Sequence, residues 1–138
     1  MGRRRTQQIT HQTGTIVSHR GYSHEEYPNY ADSVLKIDTD GILILTVTVI
    51  NFQLYLKKYC YDYLEIKGHK YCGTDLASNR RTTFVSATGV LRLKFYTSSV
   101  NQDEGFRLDY DYYSTGKFTR QYRLLACVIP EYILNSEP

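Results

Sequence analysis

An antiparallel β-sandwich is the fold this 138-residue sequence predicts, and three observations predict it. Apolar and polar residues alternate with a period of two over several short segments, the mark of strands with one buried face. Turn formers built around glycine separate those segments. Tyrosine is abundant, with 14 residues against no tryptophan, and with Val, Ile and Thr it favours pleated, half-buried surface. A chain of this length normally folds as one domain around a single core.

Residues 1–13 carry no period and read as a flexible arm, in which Arg3, Arg4 and Arg5 form a solvated basic cluster. From Gly14 a short strand centred on Ile16 leads into an irregular loop marked by Gly21, Pro28 and Asn29. Residues 33–39 make the next strand, with Leu35 and Ile37 on one face and Val34, Lys36 and Asp38 on the other. Asp40-Gly41 then supplies a hairpin turn, since glycine takes positive φ without steric cost. Over residues 42–52, Leu43, Leu45, Val47 and Val49 oppose Ile44, Thr46, Thr48 and Ile50. Both faces are apolar or β-branched, which reads as a central strand.

The chain is organised around the stretch from residue 52 to residue 73. Asp62, Leu64 and Ile66 point one way and Tyr61, Tyr63 and Glu65 the other. A turn over residues 67–70 brings Tyr71 and Cys72 back alongside, so Cys60 and Cys72 could meet across a hairpin as a disulfide. A polar connection over 74–81 leads to a short strand, 82–86, and a turn at Ala87-Thr88-Gly89. Leu91, Leu93 and Phe95 face inward from the strand 90–96, and a polar loop fills 97–104. In the last clear strand Phe106, Leu108, Tyr110 and Tyr112 alternate with Arg107, Asp109 and Asp111. Residues 114–138 break the pattern with a basic stretch, 117–123, an apolar run, 124–129, and Pro130. This extension reads as an added strand or short helix packed on the domain, with a partner-binding or disordered tail as the alternative.

The net charge of +3, from 17 Lys and Arg against 14 Asp and Glu, is too small to imply nucleic acid. No apolar run approaches the roughly 18 residues of a membrane span, and no signal-peptide core follows Met1. Three cysteines make one pair plus a leftover, Cys127, which could bridge to another chain as a disulfide-linked oligomer. There is no Asn-x-Ser/Thr acceptor for a glycan.

With these residues in order, the chain resembles a CUB domain over residues 14–113. The matching features are Gly14-Thr15-Ile16-Val17-Ser18, Tyr27-Pro28, and the segment from Val47 to Leu54 running into Cys60. Tyr61-Asp62-Tyr63-Leu64-Glu65-Ile66, Cys72-Gly73, Leu91-Arg92-Leu93-Lys94-Phe95 and Gly105-Phe106-Arg107-Leu108 complete them. The resemblance implies a jelly-roll-like sandwich that is secreted, its leader absent from this sequence, and that binds a protein ligand or neighbouring domains of a mosaic protein. It implies that Cys60 and Cys72 form the family's second disulfide. The first is missing, because Ser33 stands where a family cysteine precedes the next strand and Leu35 stands in place of a tryptophan.

Many CUB domains hold a calcium ion with a glutamate ahead of the first hairpin cysteine, the aspartate of the Tyr-Asp pair, and an aspartate in the loop before Gly-Phe. Asp62 matches the second, while Tyr55 and Ser98 stand at the other two places. Calcium takes roughly 6–8 oxygen ligands, so one matching carboxylate is too few for tight binding. Asp62 therefore reads first as a carboxylate hydrogen-bonded to backbone or tyrosine hydroxyls. Calcium, completed by Asp103 and Glu104, is the alternative, and no other cofactor is expected.

The candidate binding residues are Tyr55, Lys57, Lys58, Tyr59, Tyr61 and Tyr63, since tyrosine rings beside basic side chains suit protein interfaces and sulfated glycans. His11, His19, His24 and His69 lack the companions that zinc needs, and no nucleophile with base and oxyanion site is recognisable. The expected function is that of a non-enzymatic extracellular protein-binding module using its loops and a tyrosine-rich face. The alternative is a heparin or glycan binder using Lys57, Lys58, Arg80, Arg81 and the basic tail.

Overall fold

The computed structural model describes residues 5–76, 79–98, 102–115 and 130–135. Among them ten strands form: β1 (Arg5–Gln8), β2 (Thr13–His19), β3 (Asp32–Asp38), β4 (Leu43–Gln53), β5 (Tyr63–Ile66), β6 (His69–Tyr71), β7 (Arg81–Ser86), β8 (Val90–Tyr96), β9 (Gly105–Ser114) and β10 (Glu131–Asn135). They make two five-stranded sheets, ordered β1-β3-β8-β5-β6 and β10-β2-β9-β4-β7. The predicted sandwich is there, and its inner pairings are antiparallel. Only the edge strands β1 and β10 pair in parallel, with β3 and β2. For β1 the reason is that the chain reverses once into the second sheet as β2 and once back as β3.

The alternations place the core as expected. Leu43, Leu45, Val47 and Val49 of β4 are buried between the sheets, as are Leu91, Leu93 and Phe95 of β8 and Phe106, Leu108, Tyr110 and Tyr112 of β9. β4 is internal to its sheet, and a register shift between Val49 and Asn51 marks a bulge. One extra residue restores the inward direction at Phe52 and leaves Ile50 exposed.

Two expectations need correction. The described part of the N-terminal arm is not free: β1 runs beside β3, and Ile9 is buried in the core with its amide donating to Lys36 O at 2.9 Å. A four-residue edge strand with mostly exposed side chains carries no alternation for a sequence to display. Asp40-Gly41 is not a hairpin turn, because β3 and β4 lie in different sheets and the turn carries the chain across the sandwich. The turn between β7 and β8 does the same. The glycine that needs positive φ is Gly89, at +82°, where an added Cβ would stand 2.5 Å from the carbonyl oxygens of both Thr39 and Gly41. The Thr39 amide and Oγ1 donate to Gly89 O at 2.8 and 2.9 Å, locking the two crossings together.

The cysteine hairpin forms as read. Leu64 pairs with Tyr71 and Ile66 with His69 across a turn in which Lys67 and Gly68 take φ of 52° and 77°, the backbone that suits the twist of a tight hairpin. Cys60 and Cys72 are joined, their Cα atoms 5.6 Å apart. In the C-terminal extension β10 is an added strand whose Leu134 is buried in the core. The basic stretch 117–123, the apolar run 124–129 and Cys127 lie outside the described residues.

At one end of the sandwich the sheets are joined by rings. Phe52 stacks on Phe106 at 5.6 Å, Phe106 meets the edge of Phe95 at 5.2 Å, and Phe95 meets Tyr27 at 5.6 Å. Burying each such ring contributes roughly 1.5–3 kcal/mol, and each pairing adds about 0.5–1.5 kcal/mol. This spine is the floor beneath three loops.

Candidate binding site

Loops 20–31 and 54–62 and the described residues 97–98 and 102–104 of a third loop gather over that spine, and Asp62 sits where they meet. The alternation that sends Leu64 and Ile66 inward sends Asp62 inward too, and its exposure is 0%. A carboxylate out of water needs hydrogen-bond donors. Tyr27 Oη donates to its Oδ2 at 2.7 Å, and the Ser98 amide and Oγ donate to its Oδ1 at 2.8 and 2.9 Å. Tyr27 Oη in turn accepts the Tyr55 amide at 2.8 Å. Burial, reinforced by the neighbouring Asp62 carboxylate, pushes the Tyr27 hydroxyl well above the usual tyrosine range, against the pull of the Tyr55 amide. The hydroxyl therefore stays a proton donor at neutral pH. Backbone bonds reinforce the junction: Tyr30 N to Ser98 O at 3.2 Å, Thr97 N to Ala31 O at 2.9 Å, and Tyr27 N to Asp103 O at 3.2 Å. Among the described residues no buried side-chain polar atom lacks a partner.

The base of loop 20–31 is fixed separately. His19 is buried, with Nδ1 2.7 Å from Ser18 Oγ and Nε2 2.6 Å from Glu25 O. Ser18 Oγ also accepts the Phe106 amide at 3.0 Å. This serine–histidine contact is sealed in and fully engaged, so it offers no accessible nucleophile. Beside it Gly105 has φ of +98°, and an added Cβ would lie 2.1 Å from Ser18 Oγ.

The structure divides the predicted binding cluster. Tyr59 and Tyr61 are 57% and 51% exposed, meet edge to face at 5.8 Å, and have Lys58 Nζ 5.4 Å from the Tyr59 ring centre. Lys57 is exposed beside them, and Tyr55 is half-buried. Tyr63 is only 8% exposed: it stacks on Tyr96 at 5.4 Å and lies under Lys70 Nζ at 4.5 Å, on the outer face of the first sheet. The strand register, unreadable from sequence, puts Tyr96 directly opposite Tyr63. Also exposed, and absent from the predicted set, are Leu56 and Tyr30. Tyr30 sits in a loop with no period to flag it.

The sequence pairs Tyr27 with Pro28 as a turn but gives no sign of its bond to Asp62. A cleft of about 350 Å³ beside the base of loop 20–31 is lined by Tyr22, His24, Glu25, Glu26, Asn51 and Glu104.

Asp103 and Glu104 do not complete a metal site with Asp62. Asp103 Oδ1 accepts Gln53 Nε2 at 3.0 Å and the Glu104 amide at 2.8 Å. Among the described residues the only three ligating side chains that converge are Cys60, Cys72 and Asp75, and those sulfurs are consumed in the disulfide. The histidines form no such group.

An all-β sandwich of two five-stranded sheets carries exposed aromatic side chains on the loops at one end. The CUB domain family model matches residues 5–110, and the chain belongs to that family. CUB domains are generally non-catalytic interaction modules of extracellular proteins. No curated protein matches the chain by sequence.

Among solved structures it is similar to the full extracellular region of zebrafish Gpr126/Adgrg6, with TM-score 0.65 and 23% identity, over 80% of this chain and 15% of that one. It is similar to the MASP-1 CUB2 domain bound to Ca2+, with TM-score 0.58 and 21% identity, over 75% of this chain and 96% of that one. It is also similar to the CUB1-EGF-CUB2 domains of rat MASP-1, with TM-score 0.63 and 20% identity, over 80% of this chain and 44% of that one. The chain thus spans less than half of the two larger chains it matches. Among the described residues no helix is long and apolar enough to cross a membrane.

Proposed function

We propose that this domain is a secreted, non-enzymatic recognition module whose ligand is a protein with an apolar centre and an acidic rim, docked on the loop end. One observation carries the reading: Tyr59 and Tyr61 stand half-exposed in mutual contact on a segment tied down by the Cys60–Cys72 disulfide and by the buried Asp62. Tyrosine offers large contact area with few torsions to freeze, and a rigid base lowers the ordering cost of association. Leu56 and Tyr30 are also exposed on the loops of this end, and Lys57 and Lys58 supply positive charge beside the tyrosines.

The test presents the full chain and a Tyr59→Ala/Tyr61→Ala variant to a panel of purified secreted proteins and ectodomains. Partners that bind the wild type in about 0.5 M salt and lose tenfold or more in the variant are the expected result. Partners indifferent to both tyrosines would overturn it.

The second reading, a sulfated glycan, rests on the exposure of Lys57, Lys58, Arg80 and Arg81. It requires retention on immobilised heparin that collapses as salt rises and that fails when these four are changed to alanine.

A further inference from the structure

We infer that Asp62 takes the place of a metal ion at the loop end: its buried carboxylate holds loop 20–31, loop 54–62 and the start of a third loop at residues 97–98 together through hydrogen bonds, so that this junction forms without calcium. This goes beyond the recognition reading and does not depend on a partner. The fold is shared with a Ca2+-bound domain, yet the donor set here has the opposite polarity. A cation needs several oxygens turning lone pairs toward one centre. Around Asp62 the neighbours turn hydrogens inward instead: Tyr27 O–H, Ser98 N–H and Ser98 O–H. Each places partial positive charge where a cation would have to sit.

Three of the carboxylate's four acceptor sites are also engaged. Both lone pairs of Oδ1 are engaged by Ser98, Oδ2 takes Tyr27, and the acceptor side of the Tyr27 hydroxyl takes the Tyr55 amide. Ser98 and Tyr55 stand where the resemblance puts carboxylates, so the two missing charges have become the groups that complete the network. The donors come from different loops: Tyr27 from the first and Ser98 from the third, while Asp62 closes the second and Tyr27 draws in its Tyr55 amide. Three bonds to a charged acceptor are each stronger than neutral ones. One anion with converging donors thus does what a cation with converging anions does elsewhere.

Two measurements on the full chain test this. Thermal unfolding in about 10 mM calcium and in chelator is expected to agree within about 1 °C; a site of the usual extracellular affinity would raise the midpoint by about 4–10 °C, and any calcium-dependent rise larger than about 1 °C overturns the inference. Native-state hydrogen exchange of Asp62→Ala should show the amides of Tyr27, Tyr30, Tyr55 and Ser98 losing about tenfold or more protection together. Those of Thr39 and Gly89 at the far end should keep theirs. Loss confined to one loop, or restored by calcium, would show that Asp62 does not join them.

If Asp62→Ala does not fold, Tyr27→Phe serves in its place. It should speed exchange at Ser98, which Tyr27 reaches only through Asp62, and an unchanged Ser98 amide counts against the inference. Both measurements read ordering, not binding, so either proposal can fail while the other stands.

Discussion

At the loop end a buried carboxylate gathers Tyr27 and Ser98 from loops far apart in sequence, over a spine of four aromatic rings. At the opposite end two sheet crossings lock through backbone, with Thr39 donating to Gly89 O and Gly89 lying against the carbonyls of Thr39 and Gly41. The first closure is made largely by side chains and a charge. The second is made by close approach of backbone, and tolerates only the residue that has no Cβ. The loops that carry the exposed Tyr59 and Tyr61 thus rest on a different kind of closure from the Thr39–Gly89 crossings.

The largest effect that separates the two ends is expected from Asp62→Ala. Stranding buried donors costs about 1–3 kcal/mol each, less what is recovered by no longer burying a charge, so urea unfolding should show a loss of about 4 kcal/mol. A loss below about 1 kcal/mol would mean that water or relaxation replaces the network. Replacing Cys60 and Cys72 together by serine frees a closed loop of sequence separation 12. It should cost about 3 kcal/mol, and the exchange it provokes should concentrate in residues 54–62, leaving the crossing end protected.

Gly89→Ala attacks that other end. The positive φ and the contact at 2.5 Å with two carbonyl oxygens predict a loss of about 2 kcal/mol, with the Thr39 amide exposed and the Ser98 amide unaffected. Equal loosening of both ends would refute the division.

The pH dependence probes the loop end through Tyr27. Below the ordinary tyrosine pKa of 10.0, folded and unfolded forms both keep the proton and its hydrogen bond contributes fully. Above it the unfolded hydroxyl ionises while burial keeps the folded one protonated, so stability falls as pH rises beyond 10.0. Burial raises Tyr110 in the same way. Each such group steepens the alkaline limb by about 1.4 kcal/mol per pH unit, and Tyr27→Phe and Tyr110→Phe should each flatten it. At neutral pH Tyr27→Phe should cost only about 1–2 kcal/mol.

The smallest stability effect belongs to Tyr59→Ala and Tyr61→Ala. Truncating exposed side chains should move unfolding by less than about 0.5 kcal/mol, while partner capture falls tenfold or more. A large destabilisation would make these tyrosines part of the support rather than of the surface.

Much of this could be read in the linear sequence, since the two-residue period depends only on which side chains avoid water. Leu43 to Val49, Leu91 to Phe95 and Phe106 to Tyr112 face the core as their alternation requires, and Cys60 and Cys72 bracket a hairpin whose register follows from its turn. The same alternation turns Asp62 inward, and a buried carboxylate must find donors.

Which donors it finds is a matter of tertiary placement. Tyr27 is 35 residues before Asp62 and Ser98 is 36 after it; no local pattern links them until the crossings bring their loops to one end. The sequence likewise marks a turn at Asp40-Gly41 but not whether it joins neighbours or crosses between sheets, because local backbone preference is blind to which sheet the next strand enters. Local periodicity therefore determined the faces, the hairpin and the inward aspartate by itself. Strand order, a long-range property, decided the partners of that aspartate, the burial of Tyr63 beneath Lys70, and the exposure of Tyr59 and Tyr61.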